Sequence, residues 1–102
     1  MITKKFLKSK PVCKATFTLP VEAAPAAKAV ALVGDFNDWK VEKAVKLKKQ
    51  KGQFKATVEL EAGKEYQFRY LIDGENWEND WAADAYVPTP YGVDNSVVST
   101  MN

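Results

Sequence analysis

Polar and apolar residues alternate along most of this chain, and the alternation predicts strands rather than helices. From Cys13 the odd positions Cys13, Ala15, Phe17 and Leu19 are apolar, while Lys14, Thr16 and Thr18 are polar. That is a strand with one buried face, stopped by Pro20. Val21 to Lys28 is rich in alanine but interrupted by Pro25, so it reads as a loop or at most one helical turn. Ala29 to Val33 is a continuous apolar strand that ends at Gly34. Val45 and Leu47 alternate with Lys46 and Lys48, Gly52 marks a turn, and Phe54, Ala56, Val58 and Leu60 alternate with Lys55, Thr57 and Glu59. This is a hairpin. Beyond the turn at Glu61-Ala62-Gly63, the strand from Glu65 to Ile72 sets Tyr66, Phe68, Tyr70 and Ile72 on one face, with Gln67, Arg69 and Leu71 on the other. Asp73-Gly74 has the composition of a two-residue turn, but Glu75 to Gly92 is polar and aromatic and reads as a long loop. Val97 and Val98 supply a final strand.

About six short strands with turns between them predict an all-β fold, an antiparallel sandwich of immunoglobulin type, with a partly open barrel as the competing architecture. A chain of 102 residues, 46% of them apolar, has room for one core. The expected organisation is a basic N-terminal arm over residues 1–10, carrying Lys4, Lys5, Lys8 and Lys10, followed by a single domain over residues 11–102. The single cysteine, Cys13, has no partner for an intrachain disulfide and lies on the inward parity of its strand, so a buried, inert thiol is expected. No apolar run has the length of a secretory signal or a membrane span, and the expected location is cytoplasmic, without a membrane partner.

Charge and titratable groups narrow the chemistry. Fifteen basic and thirteen acidic residues leave a net charge of +2, too small to drive strong attraction to nucleic acid, and no such partner is expected. A second lysine group, Lys43, Lys46, Lys48, Lys49 and Lys51, admits a phosphate-binding reading; lysines on solvated strand faces and sheet edges are the plainer one. The chain has no histidine, which excludes the serine–histidine, cysteine–histidine and histidine–metal constellations together. Asp73, Glu75, Glu78, Asp80 and Asp84 are close in sequence, yet a glycosidase pair also needs a deep pocket, and their spacing does not match the helix-loop-helix calcium pattern. Loop capping is the simpler role for them. The chain is therefore read as a non-enzyme, with no cofactor and no metal site.

What remains is the set Trp39, Trp77, Trp81, Tyr86 and Tyr91, all in loops or beside turn signals. Such a residue is either a lid on the core or an exposed flat face, and an exposed face suits a sugar ring, whose C–H side stacks while its hydroxyls seek polar neighbours. The run Val30-Ala31-Leu32-Val33-Gly34-Asp35-Phe36-Asn37-Asp38-Trp39, the run Tyr66-Gln67-Phe68-Arg69-Tyr70-Leu71-Ile72-Asp73-Gly74, Trp77, and the run Tyr91-Gly92-Val93-Asp94-Asn95-Ser96-Val97-Val98 together resemble the early-set module of isoamylases and glycogen branching enzymes. The glycogen-binding domain of the AMP-activated kinase β subunit is similar. The resemblance covers roughly Val12 to Ser99 and implies an immunoglobulin-like sandwich that binds α-1,4-linked glucan. Position by position it implies Trp39 and Trp77 as stacking platforms, with Trp81 as a substitute for the latter, Arg69 where those domains have lysine, and Asn95 as a hydrogen-bonding group. Tyr91 falls where the kinase domain has a leucine, and Val93 where it has a threonine. Many modules of this kind pack against an enzyme without binding sugar, so the alternative is docking onto an enzyme of glycogen metabolism.

Overall fold

The structure is a computed structural model that describes residues 1–101. It is an all-β sandwich of two antiparallel sheets, of immunoglobulin-like architecture. One sheet has the order β1-β2-β6-β5, made of Ile2–Phe6, Val12–Pro20, Gln53–Glu61 and Lys48–Gln50. The other has the order β4-β3-β7-β10-β9, made of Val45–Lys46, Val30–Gly34, Glu65–Ile72, Asp94–Ser99 and Ala85–Pro88. A short strand β8, Asn76–Glu78, also pairs with β7. The segment from Val45 to Gln50 passes from one sheet to the other, with buried Leu47 at the crossing.

Parity decides what is inside. The odd residues Cys13, Ala15, Phe17 and Leu19 of β2 are fully buried, as the alternation requires. Ala15, Phe17 and Leu19 meet Leu32, Phe68, Tyr70 and Val98 from the facing sheet, and the Phe17 and Phe68 rings pack edge to face at 5.0 Å. Each fully buried side chain of this size stabilises the fold by about 1.5–3 kcal/mol.

Three segments differ from the sequence reading. Residues 2–6, within the stretch read as an arm, form edge strand β1, in register with Cys13–Phe17. Its inward Lys4 reaches Asp84 at 2.6 Å, which is why a lysine stands between Ile2 and Phe6 on the core side. Asp73-Gly74 does close a hairpin: both residues have positive φ, 52° and 71°, and Glu75 N–H donates to Ile72 O at 3.1 Å. The stretch after it holds β8 and β9 and is not one long loop. Their pairing depends on β7 and β10, so local composition does not announce it.

The acidic residues of that stretch mostly fasten the chain. Asp73 accepts the N–H groups of Lys28 and Ala29, both at 2.9 Å. Asp80 is fully buried, and its carboxylate takes the Met1 ammonium at 2.7 Å, the Tyr70 hydroxyl at 2.7 Å and the Ala82 N–H at 2.8 Å. Burial first, and then the Asp80 carboxylate, push the Tyr70 phenol well above the usual tyrosine range.

Candidate functional site

The outer face of the six-stranded sheet is assembled around β7. Ser96 pairs with Phe68 and faces the core with it, so Gln67, Arg69 and Leu71 of β7 and Asn95 and Val97 of β10 face outward. β3 occupies one edge of β7. The other edge is shared by β10, as far as Phe68, and β8, from Tyr70 onward. Arg69 sits at the seam between those two partners. Trp77 is opposite Leu71, so its ring rises on the same outer face as Arg69.

The second ring comes from the turn after β3, in which each residue has a separate task. Gly34 approaches β7 closely; a Cβ there would meet Phe68 Cβ at 2.7 Å and press on the Gln67 carbonyl. Phe36 anchors the turn in the core beside Phe17 and Tyr66, with centroids at 6.0 and 6.2 Å. Asn37 accepts the Gly34 N–H at 3.0 Å and donates to Leu32 O at 3.1 Å. Asp38 and Trp39 then take left-handed backbone angles, φ 57° and 58°. For tryptophan such an angle costs of order 1 kcal/mol and persists only where its surroundings impose it.

Those surroundings centre on Asp35. One carboxylate oxygen accepts the Trp39 indole N–H at 2.8 Å and the other accepts the backbone N–H of Gln67 at 2.7 Å. The indole is thereby tied to the start of β7. Its centroid is 6.5 Å from that of Trp77, and the two planes are inclined by 53°. The Arg69 guanidinium carbon is 6.0 Å from the Trp39 ring and 5.4 Å from the Trp77 ring, within cation–π range of both.

A polar row backs the rings. Arg69 Nε donates to Asn95 Oδ1 at 2.8 Å, and Asn95 Nδ2 donates to Gln67 Oε1 at 2.9 Å. Asn95 is only 8% exposed, so its first task is to hold Arg69 and Gln67 in place. The η nitrogens of Arg69 have no hydrogen-bond partner among the described residues and remain available as donors.

Of the residues singled out from the sequence, Trp39, Arg69, Trp77 and Asn95 are thus brought together. Trp77 is 43% exposed. Trp81 is 57% exposed but is in ring contact with neither platform. Tyr91 stands 87% exposed in the connection between β9 and β10. Asp35 and Gln67 were not singled out. The spacing of an acid four residues before a tryptophan, across a turn, was the available signal for Asp35; Gln67 shares the outward parity of Arg69.

Comparison with known proteins bears on the family and the fold. Residues 21–101 match the family model described as the glycogen recognition site of AMP-activated protein kinase. The chain belongs to that family. Its aromatic cluster therefore lies in a carbohydrate-recognition domain. No curated protein matches this chain. Among solved structures, the enterobactin esterase of Shigella flexneri, crystallised in the presence of 2,3-di-hydroxy-N-benzoyl-serine, is similar with a TM-score of 0.74 at 10% identity. The match covers 97% of this domain and 32% of the esterase chain, so the domain spans about a third of that protein. Identity this low speaks to the fold alone.

Proposed function

We propose that this domain binds α-1,4-linked glucan, as glycogen, starch or maltooligosaccharide, and does so without catalysis. The observation that carries the reading is the pair of indoles 6.5 Å apart with one guanidinium against both. Each indole offers a face to the C–H side of a glucose ring, and the free donors of Arg69 meet the hydroxyl perimeter. Asn95 keeps that guanidinium aimed and has capacity for one further hydrogen bond at each end of its amide. Tyr91, exposed in the connection between β9 and β10, offers a further aromatic face.

Two platforms worth about 0.5–1.5 kcal/mol each beyond buried area, plus a few hydrogen bonds that compete with water, give a dissociation constant between roughly micromolar and millimolar. A polymer multiplies such a contact by rebinding. Affinity electrophoresis through gels containing glycogen, amylose or a β-glucan tests the proposal. The wild type is retarded by the first two, and Trp39→Ala runs closer to its mobility in a plain gel while keeping its stability within about 1 kcal/mol. Equal retardation of the two proteins would refute the site. A domain that only docks onto an enzyme would migrate freely in all of the gels.

A further inference from the structure

The four-stranded sheet takes no part in the aromatic patch, and one of its edges is only partly closed. β6 runs for nine residues and pairs with β2 along its whole length. On its other side β5 covers only Gln53–Lys55. Before Lys48 the chain is leaving this sheet, and Val45–Lys46 already pairs with β3 in the other one.

Ladder alternation fixes which backbone groups are left over. Thr18 N–H turns toward β1, donating to Met1 O at 2.8 Å, so the odd residues of β2 turn toward β6. Their partners there are the even residues Phe54, Ala56, Val58 and Leu60. The odd residues of β6 consequently point away from β2. Gln53 and Lys55 meet β5, whereas Thr57 and Glu59 present their N–H and C=O groups to solvent, without backbone partners among the described residues.

The surroundings of this edge are specific. The inward side chains Ala56 and Val58, and Val45 across the gap, pack on the core but stay partly exposed, leaving an apolar strip beside the free backbone groups. The groove there, about 400 Å³, is lined by Lys46, Lys48 and Lys55, and the carboxylate on the free stretch of β6, that of Glu59, stands beside Lys14 of β2. Lys48 stands directly opposite Lys55, a like-charge pair that is unfavourable until something neutralises it. None of the three lysines is in an ion pair among the described residues.

We propose that this edge receives an extended, acidic segment of a partner protein as an added strand. The segment pairs its backbone with Thr57 and Glu59, lays alternate apolar side chains on the strip, and sets its carboxylates against Lys46, Lys48 and Lys55. Charge complementarity names the occupant. A second copy of this chain would bring lysines to the same groove, and lysine on an edge is a known guard against such pairing. The same residues that repel a copy select a segment of opposite sign. The edge belongs to the sheet that carries none of the aromatic patch, so the inference does not depend on sugar binding.

The test is an amide NMR titration of the ¹⁵N-labelled protein with a short, end-blocked peptide of alternating glutamate and valine. The expected result is saturable shifts at Thr57, Glu59, Lys48 and Lys55, slowed hydrogen exchange at the Thr57 and Glu59 amides, and a dissociation constant near or below about 1 mM. Lys48→Glu, which turns a like-charge pair into a complementary one and preserves the fold, weakens binding about tenfold. The lysine–valine counterpart of the peptide, and the glutamate–valine peptide N-methylated at alternate residues, leave these amides unmoved. Absence of shifts at Thr57 and Glu59 overturns the proposal. So does inorganic phosphate reproducing the whole effect, which would mark a small-anion site, or protection that grows with protein concentration alone, which would mark self-association.

Discussion

Removing the Asp35 carboxylate tests whether the platform is built in advance or formed by the ligand. In Asp35→Ala the Trp39 indole N–H and the Gln67 backbone N–H both lose their acceptor. Both hydrogen bonds are solvent-exposed, so water replaces the lost partner and the stability change is about 1 kcal/mol, below the usual range for hydrogen bonds to a charged group. The effect on binding has a different origin. A freed indole must be re-ordered when the ligand arrives, at a cost of roughly 0.5–1 kcal/mol in side-chain entropy, or about a two- to fivefold rise in dissociation constant. Trp39→Ala, which removes the stacking face altogether, is expected to cost about tenfold or more. Asp35→Asn keeps one acceptor and falls between wild type and Asp35→Ala. Isothermal titration with a maltooligosaccharide, alongside urea unfolding, measures both quantities. Wild-type affinity in Asp35→Ala would show that the indole finds its orientation without the carboxylate, and the clamp argument would fail.

Three further expectations follow from other parts of the structure. Arg69→Met keeps much of the apolar stem but removes the guanidinium beside both rings and the donor to Asn95; glucan affinity by titration drops by about three- to tenfold with little change in the unfolding midpoint. Gly34→Ala forces a methyl group against Phe68 Cβ and the Gln67 carbonyl, so urea unfolding shows a loss of about 2 kcal/mol or more together with weakened binding, because the turn carrying Trp39 starts there. Tyr70 has its phenol pKa raised by burial and by Asp80, so above about pH 10 the unfolded chain releases a proton that the native state keeps. The stability difference between wild type and Tyr70→Phe is accordingly constant below about pH 9 and shrinks by up to about 1.4 kcal/mol per pH unit above 10, read from urea midpoints across the alkaline range.

The core was legible in the sequence because β2, β6 and β7 are long enough for alternation to speak clearly, and Phe17, Phe54 and Phe68 lie inside as their parity requires. β8 and β9, at three and four residues, are too short for any periodic signal and exist because a neighbour is already in place. β1 was obscured by Lys4, an inward lysine that makes sense only once Asp84 is across from it. In the site, turn composition marked Trp39 and strand parity marked Arg69. The meeting of Trp39 with Trp77 depends on β3–β7 register combined with a hairpin closed by Asp73-Gly74, and no local window contains that information. The clamp by Asp35 and the partly buried Asn95–Gln67 row are tertiary in the same sense.

The inclination of the two indole planes carries its own consequence. A ribbon-like ligand with coplanar rings can lie flush on one indole and must twist to meet the other, set at 53°. A chain whose successive units already turn relative to one another meets both without bending. On the proposed function, discrimination by this surface lies in the ligand's resting curvature, and a cyclic or helical oligomer gains over a flexible linear one of equal length simply by arriving in the required shape.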